Sequence, residues 1–448
     1  MDVSTLVGLP AVEARRLVRW TLLHGVVQAG AAVGAHTDDP SSEFMTQSRY
    51  RADPFPFYES VRGRGTVVPG RIATVSASHP VCLELLRSED WHSRPDEAAL
   101  PWLLRRLTAW GRDEQALGAT DPPSMLVLDP PEHGRYRRLV GKVFTPRAVE
   151  ALRPRVQAIA DELLYRLTDR GVVDLVDTYA SQLPVAVICE LLGVPGREHD
   201  RVRQFGREAA PALDIGIGYG RYRSVDTAIR SFQAWLAGHL QQLRHAPGED
   251  LLSRLVHLED EDGQCLTDVE LQVTALLLLA AGYETTTNLL GSGAVLLLEH
   301  PDQREALVAD PSLWPGAVEE MLRFEGPVQL TGRFATRDTE LAGHRLKQGT
   351  LMLAYVAGAN RDPEVFTDPA TFDVRRANAR DHLAFSGGRH YCLGAGLARL
   401  EAEVGLRPLF ERFPHLALAG PGRRTTTRLL RGWTHLPVRP APKAGARP

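Results

Sequence analysis

Cysteine is scarce in this sequence, and its scarcity excludes several kinds of site. Four cysteines are spread over 448 residues, at positions 82, 189, 265 and 392, and no two form a C-x-x-C pair. Zinc knuckles and redox dithiols need cysteines at close spacing, so neither is expected. Isolated thiols are typical of a reducing compartment, and we therefore expect a cytoplasmic protein.

An excess of positive charge is also missing. Lysine and arginine number 52 against 55 aspartates and glutamates, which gives a formal net charge of -3. Because binding to phosphate backbones requires clustered basic residues in excess, we expect no nucleic-acid partner. The moderately apolar stretch from Trp20 to Ala35 contains His24 and Gln28. It is too short and too polar to span a bilayer, so no transmembrane segment is expected.

This stretch follows the pair Arg15-Arg16. A twin-arginine export signal has a similar arrangement, but here the charged pair lies far inside the chain. We favour an amphipathic helix packed on the body of the protein. Peripheral membrane contact through Trp20, Leu22 and Leu23 is the weaker alternative.

The rest of the chain is interpreted as one mainly helical domain with small β-sheets, an α+β fold. We divide the chain into an N-terminal extension at 1–44, which we expect to be helical, the domain at 45–438 and a flexible tail at 439–448, since no linker or repeat interrupts the middle part. Apolar residues at helical spacing predict helices at 149–170, 223–243, 266–300, 301–309, 313–324 and 393–413. Short strands are predicted at 65–76, 332–341 and 350–356.

The longest predicted helix runs from Thr267 to His300. The sequence T-D-V-E at its start is a capping box, and Pro301 ends it. At about 1.5 Å per residue it is about 50 Å long, enough to cross a whole domain. Its middle, LLLLAA at 276–281, is apolar on every face, so we expect this helix to be buried in protein.

Polar residues follow directly in the centre of this helix, as ETTTN from Glu284 to Asn288. A carboxylate in a buried helix is costly unless it is paired or functional. Threonine can bond back to the carbonyl one turn earlier, and Gly282 leaves room for a ligand. The segment alone is compatible with a proton-delivery groove and equally with a satisfied polar patch.

A glycine-rich loop, FSGGRHYCLG at 385–394, leads into the last predicted helix. Cys392 lies near the start of that helix, where unpaired amides favour an anionic sulfur and are expected to lower the thiol pKa. The glycines leave room for a flat cofactor. A lone cysteine is more often an inert buried residue, so the loop by itself does not establish a metal ligand.

The loop resembles the haem-binding signature of the cytochrome P450 family, F-G-x-G-x-H-x-C-x-G. The matching residues are Phe385, Gly388, His390, Cys392 and Gly394. Ser386 replaces the usual glycine. The resemblance extends from about Pro54 to Val438 and implies the family's single-domain fold, with the long helix over a haem b. It also implies that Cys392 is the ligand of the haem iron.

Two further motifs stand in the family's order. Glu320-Met321-Leu322-Arg323 resembles the family's E-x-x-R, and the resemblance implies that Arg376 joins this pair in a buried triad. The segment from Ala281 to Thr285 resembles the oxygen-activating segment. It implies that Ala281 and Gly282 adjoin the haem, and that Glu284 and Thr285 relay protons as catalytic residues.

A haem carries two propionates, which need cations and hydrogen-bond donors. The candidates that the resemblance supplies are His133, Arg137, Arg333, His382 and His390. Surface solvation is the alternative for each.

The resemblance implies a monooxygenase that takes dioxygen as co-substrate and inserts one oxygen atom into an apolar small molecule by hydroxylation or epoxidation. No flavin or iron–sulfur motif is recognisable, so NAD(P)H electrons are expected through a ferredoxin and its reductase, which would meet Arg135, Arg138 or Arg389. Coupling, isomerisation, peroxide-driven chemistry and non-catalytic haem binding stay open as alternatives.

Candidate substrate contacts are Leu277, Ala281, Val328, Gln329 and Leu330, with 100–117 and 430–433 as further pocket walls; each is equally compatible with plain core. The glycine pattern GIGYG at 216–220 lacks the strand and helix of a dinucleotide site. We interpret it as a mobile lid over the substrate pocket.

Overall fold

The computed structural model describes residues 11–142, 144–168, 170–260 and 263–441, and within them it confirms a mainly helical chain with small β-sheets. The α-helices, in chain order, are α1 (Ala11–Trp20), α2 (Val26–Gly34), α3 (Pro40–Thr46), α4 (Arg49–Ala52), α5 (Phe55–Arg64), α6 (His79–Arg87), α7 (Trp102–Gly111), α8 (Glu132–Gly141), α9 (Pro146–Ala151), α10 (Arg153–Tyr165), α11 (Gln182–Leu191), α12 (His199–Ala209), α13 (Tyr219–His245), α14 (Leu251–His257), α15 (Asp268–Glu299), α16 (Pro301–Ala309), α17 (Trp314–Glu325), α18 (Val356–Ala359) and α19 (Ala395–Arg412).

The strands are short and form four small sheets. In chain order they are β1 (Thr74–Ser76), β2 (Trp91–His92), β3 (Val173–Asp174), β4 (Thr331–Ala335), β5 (Thr339–Leu341), β6 (His344–Leu346), β7 (Leu351–Ala354), β8 (Ala417–Leu418), β9 (Arg423–Arg424), β10 (Trp433–His435) and β11 (Pro437–Arg439). The largest sheet has the order β1-β7-β4-β2, with β1 and β7 parallel and the other pairs antiparallel. In its register Arg333 of β4 lies opposite Met352 of β7.

The long helix α15 confirms the strongest prediction from the sequence. The side chain of Thr267 accepts a hydrogen bond from the Glu270 amide, and the Glu270 carboxylate accepts one from the Thr267 amide, which is the predicted capping box. The helix contacts α11, α12, α13, α17 and α19. Because packed helices surround it, its apolar middle is buried on nearly every side.

Several predicted boundaries are wrong for local reasons. The helix predicted at 149–170 is divided at Leu152, because Pro154 lies in the first turn of α10 and has no amide hydrogen to continue the preceding helix. The strand predicted at 65–76 is reduced to β1. The strand predicted at 332–341 consists of β4 and β5, which belong to different sheets.

Both predicted domain limits fall inside regular elements of the structure. A single π-helical turn, Thr21–Gly25, joins α1 to α2. The limit predicted between 44 and 45 falls inside α3. Arg439, assigned to the tail, pairs with Ala417 in the sheet of β11 and β8, while 442–448 lie outside the described residues. Among the described residues, no helix is both long and apolar enough to cross a membrane.

Candidate functional site

The loop before Cys392 is held in a tight, left-handed path. The Cys392 amide donates to the Phe385 carbonyl at 2.9 Å. Gly388 has a φ of +59°, and a Cβ there would lie 2.4 Å from the Leu86 carbonyl oxygen, so only glycine fits. Ser386 has a φ of +64°. The serine therefore keeps a left-handed backbone at the position where the family signature has glycine.

The Cys392 thiol is accessible but lies in a desolvated setting. Helix α19 begins at Ala395, three residues after the cysteine. Burial raises the pKa of the Cys392 thiol against the lowering effects of the Gly394 amide, Arg137 and Arg399. The expectation that the helix start lowers this pKa is thus wrong for the polypeptide alone. Because the Cys392 side chain is exposed and yet desolvated, a bound cation would have to stabilise its thiolate.

A second accessible patch lies in the middle of the buried helix α15. Ala281 is exposed although Leu279 and Tyr283 beside it are buried. The Thr285 hydroxyl, one turn later, donates to the Ala281 carbonyl at 2.6 Å. Ala281, Gly282 and Thr285 therefore line an internal space, with the threonine bonded back as the sequence predicts.

Glu284 lies beside a largely apolar pocket between α15 and α12. The lining residues are Ala119, Thr120, Phe205, Gly206, Ala209, Ala210, Ala212, Leu213, Ile229, Leu276, Ala280 and Glu284. Burial raises the pKa of Glu284 to about 7, against smaller lowering effects of Asn288 and Arg207. A carboxyl group with this pKa can hold or release a proton near neutrality.

Arg333 is a buried cation that lacks an acidic partner. Its Nη1 atom donates to the Thr331 hydroxyl at 3.0 Å and to the Gly332 carbonyl at 2.8 Å. Among the described residues no carboxylate lies within ion-pair distance, and burial lowers its pKa to about 10 despite the more distant Asp129. Such a buried charge is costly unless an anion compensates it, so the residues here fit an acidic group of a ligand.

His133 and His390 lie together close to this cation. Their ring centroids are 4.3 Å apart, and His390 Nε2 lies 2.9 Å from the Ser93 hydroxyl. His133 is buried and its Nε2 has no hydrogen-bond partner in the structure. Burial, followed by the neighbouring cations His390 and Arg137, lowers the pKa of His133 to about 4. An unsatisfied buried nitrogen is again what a polar ligand group would complete.

Two other predicted propionate contacts have partners within the protein. Both ring nitrogens of His382 are in use, because Nε2 lies 3.0 Å from Glu319 and Nδ1 accepts the Ala384 amide at 3.1 Å. The assignment of His382 to a propionate is therefore corrected: this side chain is bonded within the protein, to Glu319 and to the backbone of Ala384. Arg137 is half-buried, and its Nη2 donates to the Tyr391 carbonyl at 2.6 Å, which places it beside the cysteine loop.

The structure brings Glu320, Arg323 and Arg376 into one buried cluster. Arg323 binds Glu320 with two parallel hydrogen bonds of 2.6 and 2.7 Å, and Arg376 Nε donates to the same carboxylate at 3.2 Å. Arg323 also donates to the carbonyls of Asn360, Pro369 and Thr371. The cluster thus ties α17 to the chain segment that precedes the cysteine loop.

Most of the predicted substrate contacts are buried or already bonded within the protein. Leu277 and Leu330 are buried, and Val328 is half-exposed. The Gln329 side chain donates to the Gly326 carbonyl at 2.8 Å and accepts from the Tyr58 hydroxyl at 3.3 Å, so its polar atoms are already satisfied. The segment 100–117 was predicted as a pocket wall, but most residues of its helix α7 are exposed to solvent.

The predicted lid at 216–220 is held by the N-terminal helices. Trp20 Nε1 donates to the Ile217 carbonyl at 2.8 Å, and Gln28 Nε2 donates to the Gly216 carbonyl at 2.7 Å. The Gly216 amide donates to His24 Nδ1 at 3.2 Å. Tyr219 and Gly220 belong to the first turn of α13 rather than to a loop.

Sequence reasoning missed two groups of residues. Asp129 accepts the Ser93 amide and lies 3.8 Å from His390 Nε2, so this carboxylate belongs to the surroundings of that ring. The pocket beside Glu284 is lined by Gly206 and Ala209 of α12 and by Ala210 and Ala212 directly after it. Spacing of alanine and glycine toward the end of that helix was the available signal.

Comparison with known proteins places this site in a family. The family model described as Cytochrome P450 matches residues 312–430. A protein named putative cytochrome P450 140 from Mycobacterium tuberculosis is 49% identical over 424 residues, which cover 94% of this chain and 97% of the relative. The 6-deoxyerythronolide B hydroxylase of Saccharopolyspora erythraea is 45% identical over 319 residues, covering 70% of this chain and 78% of the relative.

Solved structures agree with these relatives. A myxobacterial cytochrome P450 in complex with myristic acid has a TM-score of 0.79 and 35% identity, covering 90% of this chain and 100% of that chain. The fold predicted from the resemblance, including the long central helix, is thereby confirmed.

Proposed function

Because this chain belongs to the cytochrome P450 family and is a haem-thiolate monooxygenase of small molecules, we propose that it oxygenates an apolar substrate held beside α15. The observation that carries the proposal is Arg333, a buried cation with no carboxylate in ion-pair distance among the described residues. A haem propionate would satisfy it. The unpartnered Nε2 of His133 and the adjacent His390 support the same ligand.

The chain's residues would divide the work as follows. Cys392 would hold the haem iron, Arg333 and His390 would bind propionates, and Phe385 and Gly388 would shape the loop beside the cofactor. Haem b bound through a thiolate supplies the activation of dioxygen with two external electrons. Gly394 fits this arrangement because no atom lies within 4 Å of the position its Cβ would occupy.

Glu284 and Thr285 are proposed to move protons. The carboxyl group, with a pKa of about 7, would take up protons on the pocket side of α15. The Thr285 hydroxyl, which donates to the Ala281 carbonyl, would hold a proton on the side of α15 that lines the internal space. This pair supports oxygenation over the alternative of non-catalytic haem binding.

The lining of the pocket beside Glu284 supports a class of substrate. Phe205, Leu213, Ile229 and Leu276 give the pocket an apolar surface next to the acidic Glu284. The 45% identical relative is named a hydroxylase of 6-deoxyerythronolide B, and a structural neighbour holds myristic acid. We therefore propose a lipid-like or macrolide-like substrate of mainly hydrocarbon character.

Electron delivery is proposed to come from NAD(P)H through a ferredoxin and its reductase in the cytoplasm. Arg389 is the favoured contact among the predicted arginines, because Arg135 is already paired with Asp260 at 2.6 Å. Arg389→Glu is expected to raise the KM for a ferredoxin severalfold at unchanged kcat. Because the Arg389 side chain is partly exposed, the effect should decrease with added salt.

The assignment is tested by the carbon-monoxide spectrum of the reduced protein. The wild type should give the Soret band of a thiolate-ligated haem, and Cys392→Ser should lose it. Apolar ligands should then be screened for a spin-state shift. A histidine-type band in the wild type, or a thiolate-type band in Cys392→Ser, would contradict the proposal.

A further inference from the structure

Helix α7 presents aromatic side chains to solvent. Trp102, Leu103 and Trp110 are 63%, 52% and 44% exposed. Trp102, Arg106 and Trp110 are four residues apart and therefore form one stripe along the helix. Large apolar side chains normally point into the core, so a tryptophan stripe on the outside requires an explanation.

The neighbouring N-terminal helix adds to this surface. Arg15 lies over the Trp110 ring at 6.0 Å, and Gly111 packs on Arg19, so α1 and α7 adjoin. Further along the chain, exposed Leu23 of the π-helical turn and exposed Val26 and Val33 of α2 form a second apolar stripe. More than half of the exposed large hydrophobic side chains in the described residues belong to these two segments.

The charge of α7 is positive and uncompensated. Arg105 and Arg106 are exposed, and the helix contains no acidic residue. Neither arginine has an ion-pair partner among the described residues. Of the acidic groups nearby, Glu97 pairs with Arg94 and Asp113 pairs with Arg230.

We propose that α7, with Arg15 and the exposed stripe of the N-terminal helix, binds the surface of anionic phospholipid bilayers. Tryptophan and leucine side chains would enter the boundary between head groups and acyl chains, and the arginines would meet lipid phosphates. The proposal does not depend on the catalytic assignment, because the binding needs no substrate.

The experiment is flotation of the haem-containing protein with vesicles of phosphatidylcholine, alone or mixed with phosphatidylglycerol. The wild type should float with the mixed vesicles and much less with phosphatidylcholine alone. Arg105→Glu with Arg106→Glu should weaken binding about tenfold or more, since each basic residue contributes at the membrane surface. Trp102→Ser with Trp110→Ser should weaken it comparably, by removing apolar insertion.

Matched variants control for general surface effects. Tyr165→Ser with Leu418→Ser removes exposed apolar side chains elsewhere, and Arg197→Glu with Arg201→Glu reverses exposed charges elsewhere. Both pairs should float like the wild type. An unchanged carbon-monoxide spectrum would verify that every variant is folded.

Three results would overturn the proposal. They are no flotation of the wild type, equal flotation of the α7 variants and the wild type, and a dimer in sedimentation equilibrium that the tryptophan substitutions dissociate. The last result would assign the surface to a second copy of the chain.

Discussion

At the scale of single residues, two threonines of α15 make the same local bond in different surroundings. Thr285 donates to the Ala281 carbonyl on the accessible side, whereas buried Thr287 donates to the Tyr283 carbonyl. Thr285→Ala should therefore lower product formed per NAD(P)H severalfold, because the hydroxyl beside the internal space is lost. Thr287→Ala is the matched control and should keep the wild-type ratio. Equal ratios in both variants would refute the proton-moving role of Thr285.

The pKa of Glu284 predicts a pH dependence of the oxygenation step. Burial raises this pKa from 4.5 to about 7, so the carboxyl group is protonated below that value and charged above it. If it supplies protons, the single-turnover rate should fall as the pH rises through about 7. Glu284→Gln should be slower and should show no such fall. Single turnover excludes pH effects on the electron partners, and an identical profile in the variant would disprove the assignment.

Glu401 of α19 is a buried carboxyl group whose Oε2 has no hydrogen-bond partner in the structure. Burial raises its pKa from 4.5 to about 8, so the folded protein keeps a proton that the unfolded chain releases. The free energy of unfolding should therefore decrease with rising pH across that window, by up to about 1.4 kcal/mol per unit. Between about pH 6 and pH 8, wild type should lose about 2 kcal/mol more than Glu401→Gln.

Calorimetry of both proteins checks this loss of stability. Glu411→Gln is the control in the same helix, because Glu411 is exposed and paired with Arg407. This control should keep the wild-type pH dependence. A wild type and a Glu401→Gln variant with parallel curves would show that Glu401 is not protonated in the fold.

Candidate site residues could be predicted from the sequence where they belong to a recognisable motif. The side chains that they contact in the fold could not be predicted. Cys392 and Glu284 could be singled out from their sequence surroundings, but their proposed roles came from the resemblance to the cytochrome P450 family. That Arg333 has no carboxylate nearby, while His382 is taken by Glu319, depends on which distant segments meet. The increase in the pKa of Cys392 was not predicted for the same reason, because it is caused by burial, which is a property of the folded chain.

At the scale of elements, local signals predicted α15 well because its capping box, apolar middle and terminal proline all act within the helix itself. The strands were predicted less well. A strand is defined by its partner, and β1 pairs with β7, which is far away in the sequence. The role of α1 and α2 was also not predictable, because hydrogen bonds to Gly216 and Ile217 join distant segments.

The contact between the N-terminal helix and the Gly216 segment predicts a local change in stability. The segment follows Leu213, which lines the pocket beside Glu284. Trp20→Phe with Gln28→Leu removes two hydrogen bonds, each worth about 1 kcal/mol, while an aromatic and an aliphatic side chain still fill the two positions. Amide exchange at 214–218 should accelerate about tenfold or more, as measured by mass spectrometry.

The control for this helix variant is Gln157→Leu, which removes an exposed glutamine that bonds Asp161 within α10. It should leave exchange at 214–218 unchanged. Wild-type exchange in the double variant would mean that the N-terminal helix does not restrain the segment.

At the scale of the whole molecule, the fold contains a buried charge, a buried ring nitrogen and an accessible thiol that the described residues do not fully compensate. Buried Arg333, the open nitrogen of His133 and the accessible Cys392 thiol belong to separate parts of the chain. A ligand that meets all three couples these parts, so haem binding should stabilise the folded state as a whole. At free haem a thousandfold above Kd the gain is about 4 kcal/mol.

Protein expressed with limited haem supply should consequently have a Tm several degrees below that of the haem-loaded form. Arg333→Gln should narrow this difference from both sides, because it removes an uncompensated charge from the haem-free protein and a propionate partner from the loaded one. Arg254→Gln, an exposed arginine of α14, should leave the difference as in wild type. If Arg333→Gln left the gap in Tm unaltered, the buried guanidinium would have no part in holding the cofactor, and its burial would need another cause.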